Sequence, residues 1–369
     1  MYPATWPGVD DHSRTVIRSA QTPAGAYPAS EAFPAYRGYC WFRDGSFIAD
    51  AMSAAGEPDS ATAFFDWCAG VVGRRASQID RIVAAAAAGT PVPDEAMLPA
   101  RYRFDGTDGA DDWWDFQLDG YGTWLWAVAA HAARHGLDLT RWGSAIASTV
   151  AYLVSSWDRP CYDWWEEFPG QQHVSTLGCV VAGLDAVRDS GVLPDDLARA
   201  AGEAALDIAA RIRTDGVVDG HLVKWIGSDA VDASLTALVG LLGVIDPRSE
   251  LGRGTVAAVE AGLLADGGVY RYRGDTFYGG GRWPLLTCFL GLARLAAGDR
   301  DGAMAALTWA LGTAQGYDLP EQVDGHLQAP EARPGWLDRW GPVASPLLWS
   351  HAMVLRLGAG LGLATGVRP

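Results

Sequence analysis

The feature that most limits what this chain can fold into is the alternation of short and long connections between its helical stretches. Periodic apolar patterns rich in Ala and Leu, both strong helix formers, predict helices over 8–20, 44–56, 58–88, 117–136, 138–156, 172–190, 194–213, 230–244, 247–264, 283–297, 299–315 and 345–363. The joins AGEPDS, HGLDLT, DSGVLPDD, DPRSE and AGDRDG are short, combining helix-stopping Gly with capping Asp, Ser or Thr. The joins near 21–43, 89–116, 157–171, 214–229, 265–282 and 316–344 are long and rich in Trp, Tyr, Gly, Asp and Glu. Short and long alternate strictly, so antiparallel helices put every long loop on one rim and every short turn on the other. Twelve helices in six such hairpins predict an all-α chain closed into an (α/α)6 toroid, one catalytic domain over residues 1–369. Function is expected on the rim that carries the long loops.

The bulk composition supports a large core and narrows the partners. Of the 369 residues, 49% are hydrophobic, with 17 Trp, 12 Tyr and 10 Phe, too much order-promoting material for a disordered chain. A formal charge of −16 repels phosphate backbones and anionic lipid, so nucleic acid and membrane surfaces are poor partners, whereas a neutral sugar is compatible. Cys40, Cys68, Cys161, Cys179 and Cys288 form no CxxC pair and suggest neither a zinc site nor a disulfide framework. The start, MYPATWPGVDDHSRT, has no basic or apolar signal region. The longest apolar run, Ala233 to Ile245, is of buried-helix length. A cytoplasmic location is expected.

The chemistry-bearing residues gather in the long loops. The first contains AYRGYCWFRDGSF, with Trp41, Arg43 and Asp44. The second contains DDWWDFQLDGYG, with Trp113, Trp114, Asp115 and Asp119. The third contains CYDWWEEFPGQQH, with Trp165, Glu166 and Glu167. The fifth contains VYRYRGDTFYGGGRW, with Arg271 and Asp275. The sixth contains YDLPEQVDG, with Glu321, and leads into SPLLWSH with Trp349. Flat aromatic faces stack on sugar rings, and carboxylates and Arg forks bind hydroxyls. Cleaving a glycoside needs one protonated carboxyl at the leaving oxygen and one ionised carboxylate acting on water or on the anomeric carbon. Glu166 follows Trp164 and Trp165, apolar neighbours that raise a carboxyl pKa by desolvation. Glu321 comes from a different loop, which leaves room for a water between the two. A Trp-rich loop can also be only a hydrophobic plug, and either glutamate alone could be a solvated rim residue.

These segments together resemble the glucoamylase family of glycoside hydrolases, family 15. CYDWWEEF is similar to its general-acid segment, which implies Glu166 as the acid and Glu167 as a substrate contact. LPEQVDG followed by LLWSHA is similar to its general-base segment and implies Glu321. CWFRDGSF resembles the element whose Arg and Asp grip the non-reducing glucose, implying Arg43 and Asp44. YRYRGDTFYGGGRW resembles the segment whose Arg and Asp line the pocket, implying Arg271 and Asp275, and Trp113 matches a pocket tryptophan. The motifs keep the family's order over roughly residues 36–354, and the family's fold is an (α/α)6 barrel. The resemblance implies an inverting, exo-acting α-glucoside hydrolase that releases β-glucose and needs no cofactor or metal. The family's β-sandwich and starch-binding modules find no match, which points to short substrates of the isomaltose or maltose type, with α-1,6-linked oligosaccharides preferred. Trehalose- or dextran-acting relatives leave the linkage open. The segment from Gln328 to Trp340 is unusually rich in Trp and Arg and is placed at the leaving-group side.

Competing readings are weaker. DDWWD, Asp111 to Asp115, matches the DDxxD motif of helical terpene synthases, but the chain has no Asn and a single lysine, Lys224, poor equipment for a diphosphate. Asp at a helix N-terminus explains the motif as well. His173, His221 and His326 in loops would suit a His-dependent epimerase or lyase, yet no HExxH or other close metal pair exists. His351 is read as a packed or supporting residue and Lys224 as a solvated one, while Trp349 lines the reaction centre or fills the core. A non-catalytic sugar-binding protein would need the aromatics without both glutamates.

Overall fold

The computed structural model describes residues 6–110 and 116–363. Its helices are α1 Trp6–Ala20, α2 Phe42–Ala54, α3 Pro58–Arg74, α4 Ala76–Ala87, α5 Asp119–His135, α6 Gly143–Val154, α7 Val174–Arg188, α8 Asp195–Asp215, α9 Leu235–Val239, α10 Glu250–Leu263, α11 Pro284–Ala297, α12 Arg300–Gly312, α13 Arg333–Trp340 and α14 Leu348–Gly360. The helices α2, α5, α7, α9, α11 and α14 pack in sequence, and α14 returns to α2 to close a ring. Around them lie α1 on α14, α3 on α2, α6 on α5, α8 on α7, α10 on α9 and α12 on α11. The architecture is an (α/α)6 barrel, with every long connection leading from an outer helix into an inner one.

Burial patterns explain which helices are inside. In α2 every residue from Phe42 to Ser53 is buried, and α7 is buried from Val174 to Leu184. Helices enclosed on all sides need no polar face. By contrast α8 buries one stripe, Ala201, Ala204, Ala205, Ile208 and Ile212, at helical spacing. Glycine lets the inner helices α5 and α7 approach closely. A Cβ on Gly122 of α5 would stand 2.3 Å from the Cys179 carbonyl oxygen of α7, and one on Gly183 would stand 2.4 Å from the Gly122 carbonyl oxygen. Backbone meets backbone there.

Three elements depart from the expected helices. The stretch 58–88 breaks at Arg75, whose φ of −106° and ψ of 8° leave the helical region; its guanidinium instead bonds the carbonyls of Val71 and Gly106 and the Asp108 carboxylate. The stretch 230–244 shrinks to the five residues of α9. Asp232 diverts the Ser234 N–H and hydroxyl at its start, and Gly240 leaves helical geometry where a Cβ would stand 2.6 Å from the Ala293 nitrogen. Finally, α13 forms inside what reads as a loop, with Pro334 in its first turn.

Short strands tie the rim loops together. Tyr39–Trp41 pairs antiparallel with Arg101–Arg103, and Gly268–Tyr270 pairs with Leu264–Ala265 and with Arg282–Trp283. Under the rim, Phe47, Trp164, Phe289 and Trp349 plug the barrel axis, with Phe47 and Trp349 stacked at 5.4 Å. All five cysteines are free and buried. Among the described residues no helix is long and apolar enough to cross a membrane.

Candidate active site

Above the aromatic plug the long loops surround a cavity of about 240 Å3. Its wall includes Trp41, Arg43, Asp44, Trp165, Glu166, Glu167, Arg271, Glu321 and Trp349, so nine of the expected site residues meet in one place. Asp275 is not among the lining residues: its carboxylate is fully buried and takes the Arg271 Nε at 2.7 Å and Nη2 at 2.5 Å, together with the Phe277 N–H at 2.9 Å. It holds Arg271 in place from behind. Trp113, and with it the DDWWD segment, lies outside the described residues.

Each glutamate is held by the first loop. The indole N–H of Trp41 donates to Glu166 Oε1, and the Tyr36 hydroxyl donates to Glu321 Oε1 at 2.7 Å. Tyr36 and Trp41 pack edge to face with centroids 5.6 Å apart, so one aromatic pair braces both carboxyls. Glu166 sits at φ +61°, a left-handed conformation that costs a non-glycine residue free energy. The turn that carries it is made by Asp163, whose Oδ1 accepts the N–H groups of Trp165 and Glu167, each at 2.9 Å. Glu321 is 3% exposed and its N–H bonds the Ala344 carbonyl at 2.9 Å.

The floor is polar and charged. Arg43 Nη1 reaches Gln117 at 2.5 Å and Asp119 at 3.2 Å, while its Nη2 lies 3.4 Å from Asp44. Opposite, Arg271 faces Glu167 at 3.5 Å, and the Tyr272 hydroxyl donates to Glu167 at 2.5 Å. Among the described residues, Glu321 Oε2, Trp283 Nε1 and Trp349 Nε1 are buried without a hydrogen-bond partner, and Asp44 Oδ2 has only its ion pair with Arg43. With Arg43 Nε and Trp164 Nε1, six buried atoms lacking a hydrogen bond belong to residues lining one cavity, a costly arrangement unless a polyhydroxylated ligand bonds them. The rim is aromatic: α13 contributes Trp336, Arg339 and Trp340.

Burial pushes the Glu166 carboxyl up to about 7, against Arg43 and the Trp41 donor, and pushes Glu321 up to about 8, against the Tyr36 donor and Arg271. Asp44 rises to about 6 because burial outweighs the pull of Arg43. The tryptophans beside Glu166 in the sequence therefore do not single it out. Desolvation is set by the whole wall, which encloses Glu321 more completely. Burial and the neighbouring Glu321 hold Tyr36 well above its ordinary value, which keeps it a phenol donor.

The model of the glycosyl hydrolases family 15 matches residues 11–313. The chain is 52% identical over 357 residues to an isomaltose glucohydrolase of Kribbella flavida, covering 95% of this chain and 92% of that one. The chain belongs to glycosyl hydrolase family 15. A solved wild-type glycosidase superposes with a TM-score of 0.94 at 51% identity, covering 96% of each chain. A bacterial glucoamylase complexed with acarbose shares the fold, with a TM-score of 0.76 at 21% identity over 96% of this chain and 56% of that one. As a family 15 member the protein is a glycosidase.

Within this family 15 site, sequence reasoning missed Tyr36, although it lies in the quoted AYRGYCWF segment. It also missed Phe277, Trp283 and Asp163. Lys224 is no solvated lysine: it is 3% exposed and paired with Asp163 and Asp232. His351 is a packing residue. Its Nε2 accepts the Leu319 N–H at 3.0 Å and its Nδ1 therefore donates to Ser13 Oγ at 2.8 Å, while burial lowers its pKa to about 3. His173, His221 and His326 do not line the cavity.

Proposed function

We propose that this glycosidase is an inverting, exo-acting α-1,6-glucosidase that releases β-glucose from the non-reducing end of isomaltose and short isomalto-oligosaccharides. The observation that carries the reading is the meeting of Glu166 and Glu321, from separate loops, on one cavity with a single aromatic pair bracing both. Arg43 and Asp44 on the buried floor bind the outer hydroxyls of the terminal glucose, so attack comes from the chain end. Arg271 and Glu167 bind further hydroxyls, and Trp165 and Trp349 supply apolar faces.

Glu166 donates its proton to the glycosidic oxygen as the bond to the anomeric carbon breaks. Glu321 accepts a proton from a water that attacks the opposite face. Its Oε1 is occupied by Tyr36, which leaves Oε2 for the water. The single displacement turns an α-linkage into β-glucose and calls for carboxyls roughly 6.5–9.5 Å apart. The isomaltose preference is supported by the Kribbella flavida relative and by the α13 aromatics, which narrow the mouth around a short leaving group.

We also read residues 1–369 as one catalytic domain. A cytoplasmic setting fits five buried thiols left unpaired, and an acidic surface of charge −16 disfavours nucleic acid and anionic membranes. The deciding experiment follows glucose release from isomaltose, maltose, trehalose and short dextrans, with proton NMR on the first product. Isomaltose turned over fastest, with β-glucose appearing first, is the expected result. First-formed α-glucose overturns inversion, and faster maltose or trehalose cleavage overturns the linkage.

A further inference from the structure

Lys224 is the only lysine in the chain, and it is buried behind the active site rather than exposed. It does not line the cavity that holds Glu166 and Glu321. Its Nζ lies 3.1 Å from Asp163 Oδ2 and 2.7 Å from Asp232 Oδ2, and 3.6 Å from the centroid of the Tyr272 ring. All three partners grip the segment that carries Glu166. Asp163 Oδ1 caps the N–H groups of Trp165 and Glu167, and its carbonyl takes the Glu166 N–H at 3.0 Å. Asp232 Oδ2 accepts the Trp165 indole N–H at 2.9 Å. Tyr272 donates to Glu167. The lysine backbone is fixed as well, between the Val174 N–H at 3.1 Å and the Ala230 carbonyl at 2.7 Å.

Asp163 and Asp232, both buried, share one ammonium, and without it the two like charges repel each other. Once one turns away, the side-chain cap on Trp165 and Glu167 is lost. The left-handed Glu166 then keeps only the backbone bonds of its turn, to the Asp163 carbonyl at 3.0 Å and from the Asp163 N–H to the Glu167 carbonyl at 3.1 Å, with the Trp41 indole on its carboxylate. We propose that Lys224 is a positioning residue: its ammonium joins Asp163 to Asp232 and so fixes segment 163–167 with Glu166 aimed at the glycosidic oxygen. The inference rests on Glu166 being the general acid.

The test separates leaving groups. The reducing-end glucose of isomaltose leaves as an alkoxide that must be protonated, whereas fluoride leaves α-glucosyl fluoride with little need of an acid. Lys224→Met should lower kcat on isomaltose about 100-fold, as expected for a misplaced acid, with KM rising as Trp165 and Glu167 loosen, and lower turnover of α-glucosyl fluoride less than about tenfold. Equal losses on the two substrates overturn the proposal, because a merely structural lysine does not know the leaving group. Asp232→Asn, which keeps the shape and weakens the same link, should show the same split at smaller amplitude. It carries the test if Lys224→Met does not fold. Glu166→Gln run alongside keeps the two claims apart. If it spares the fluoride, the acid assignment stands whatever Lys224 does; if it does not, the acid assignment is what fails.

Discussion

The two sides of the cleft are built differently. On the side of the proposed acid, Glu166 sits half-buried on a left-handed residue, held by a carboxylate turn that is itself tied to a buried lysine. On the base side, Glu321 is buried, its N–H fixed to Ala344, with one tyrosine hydroxyl on its carboxylate. A side-chain network can aim an acid accurately, but it depends on charge balance at a distance. Backbone pairing needs no remote charge. The acid side should therefore be sensitive to changes well outside the cavity, and the base side mainly to its own residue and to Tyr36.

The largest expected effect is on the base side. Glu321→Gln keeps the shape and removes the proton acceptor, so kcat on isomaltose should fall about 10,000-fold, at the upper end for a general base, while calorimetry still detects glucose binding. Turnover within tenfold of the parent would show that another group activates the water. Glu166→Gln should cost about 1,000-fold on isomaltose and far less on α-glucosyl fluoride, which marks the contrast between the sides.

Tyr36→Phe comes next. It removes a hydrogen bond to a buried carboxylate, which supports a loss of about 10- to 100-fold in kcat/KM. The sign of its pH effect follows from the proposed base role. As the proposed base Glu321 works ionised, so activity falls as pH drops through its pKa, and the Tyr36 donor holds that pKa down against burial. Without the donor the pKa rises, and the acidic limb of the kcat/KM profile should move to higher pH. On the alkaline side the parent loses activity as Glu166 gives up its proton, so the proposed roles need Glu166 to titrate above Glu321. Burial sets them the other way round, with Glu166 at about 7 and Glu321 at about 8, and the roles therefore rest on position and not on those values. The two limbs report the carboxyl pair acting together. An unchanged acidic limb in Tyr36→Phe would remove Tyr36 from the base side.

Much of this arrangement was legible from residues alone. The alternation of loop lengths located the rim, and nine expected residues line its cavity. What stayed hidden has a physical reason in each case. Tyr36 is one tyrosine among twelve, and its role comes from meeting a glutamate brought in from the far end of the chain. Lys224 looked solvated because its two acid partners come from different loops. The ordering of the two glutamate pKa values could not be taken from adjacent tryptophans, because burial is a property of the assembled wall. The shortness of α9 reflects backbone crowding at Gly240 against Ala293, which no periodicity records. Asp275 was expected in the pocket through the resemblance of its segment, but its spacing of four residues from Arg271 lets it close an ion pair behind the arginine instead.

That last placement yields the smallest predicted effect. Asp275 accepts two N–H groups of Arg271 and the Phe277 N–H, and it does not line the cavity. Asp275→Asn retains one acceptor and loses the charge, so Arg271 should wander while both glutamates keep their braces. An interaction used for binding in both ground and transition states raises KM without lowering kcat. The expected outcome is a KM for isomaltose about tenfold higher, equivalent to one weakened charged hydrogen bond, with kcat within about twofold and the limbs of the pH profile unmoved. If kcat falls instead with KM unchanged, Arg271 acts on the transition state, and the line drawn here between the catalytic pair and the binding floor lies in the wrong place.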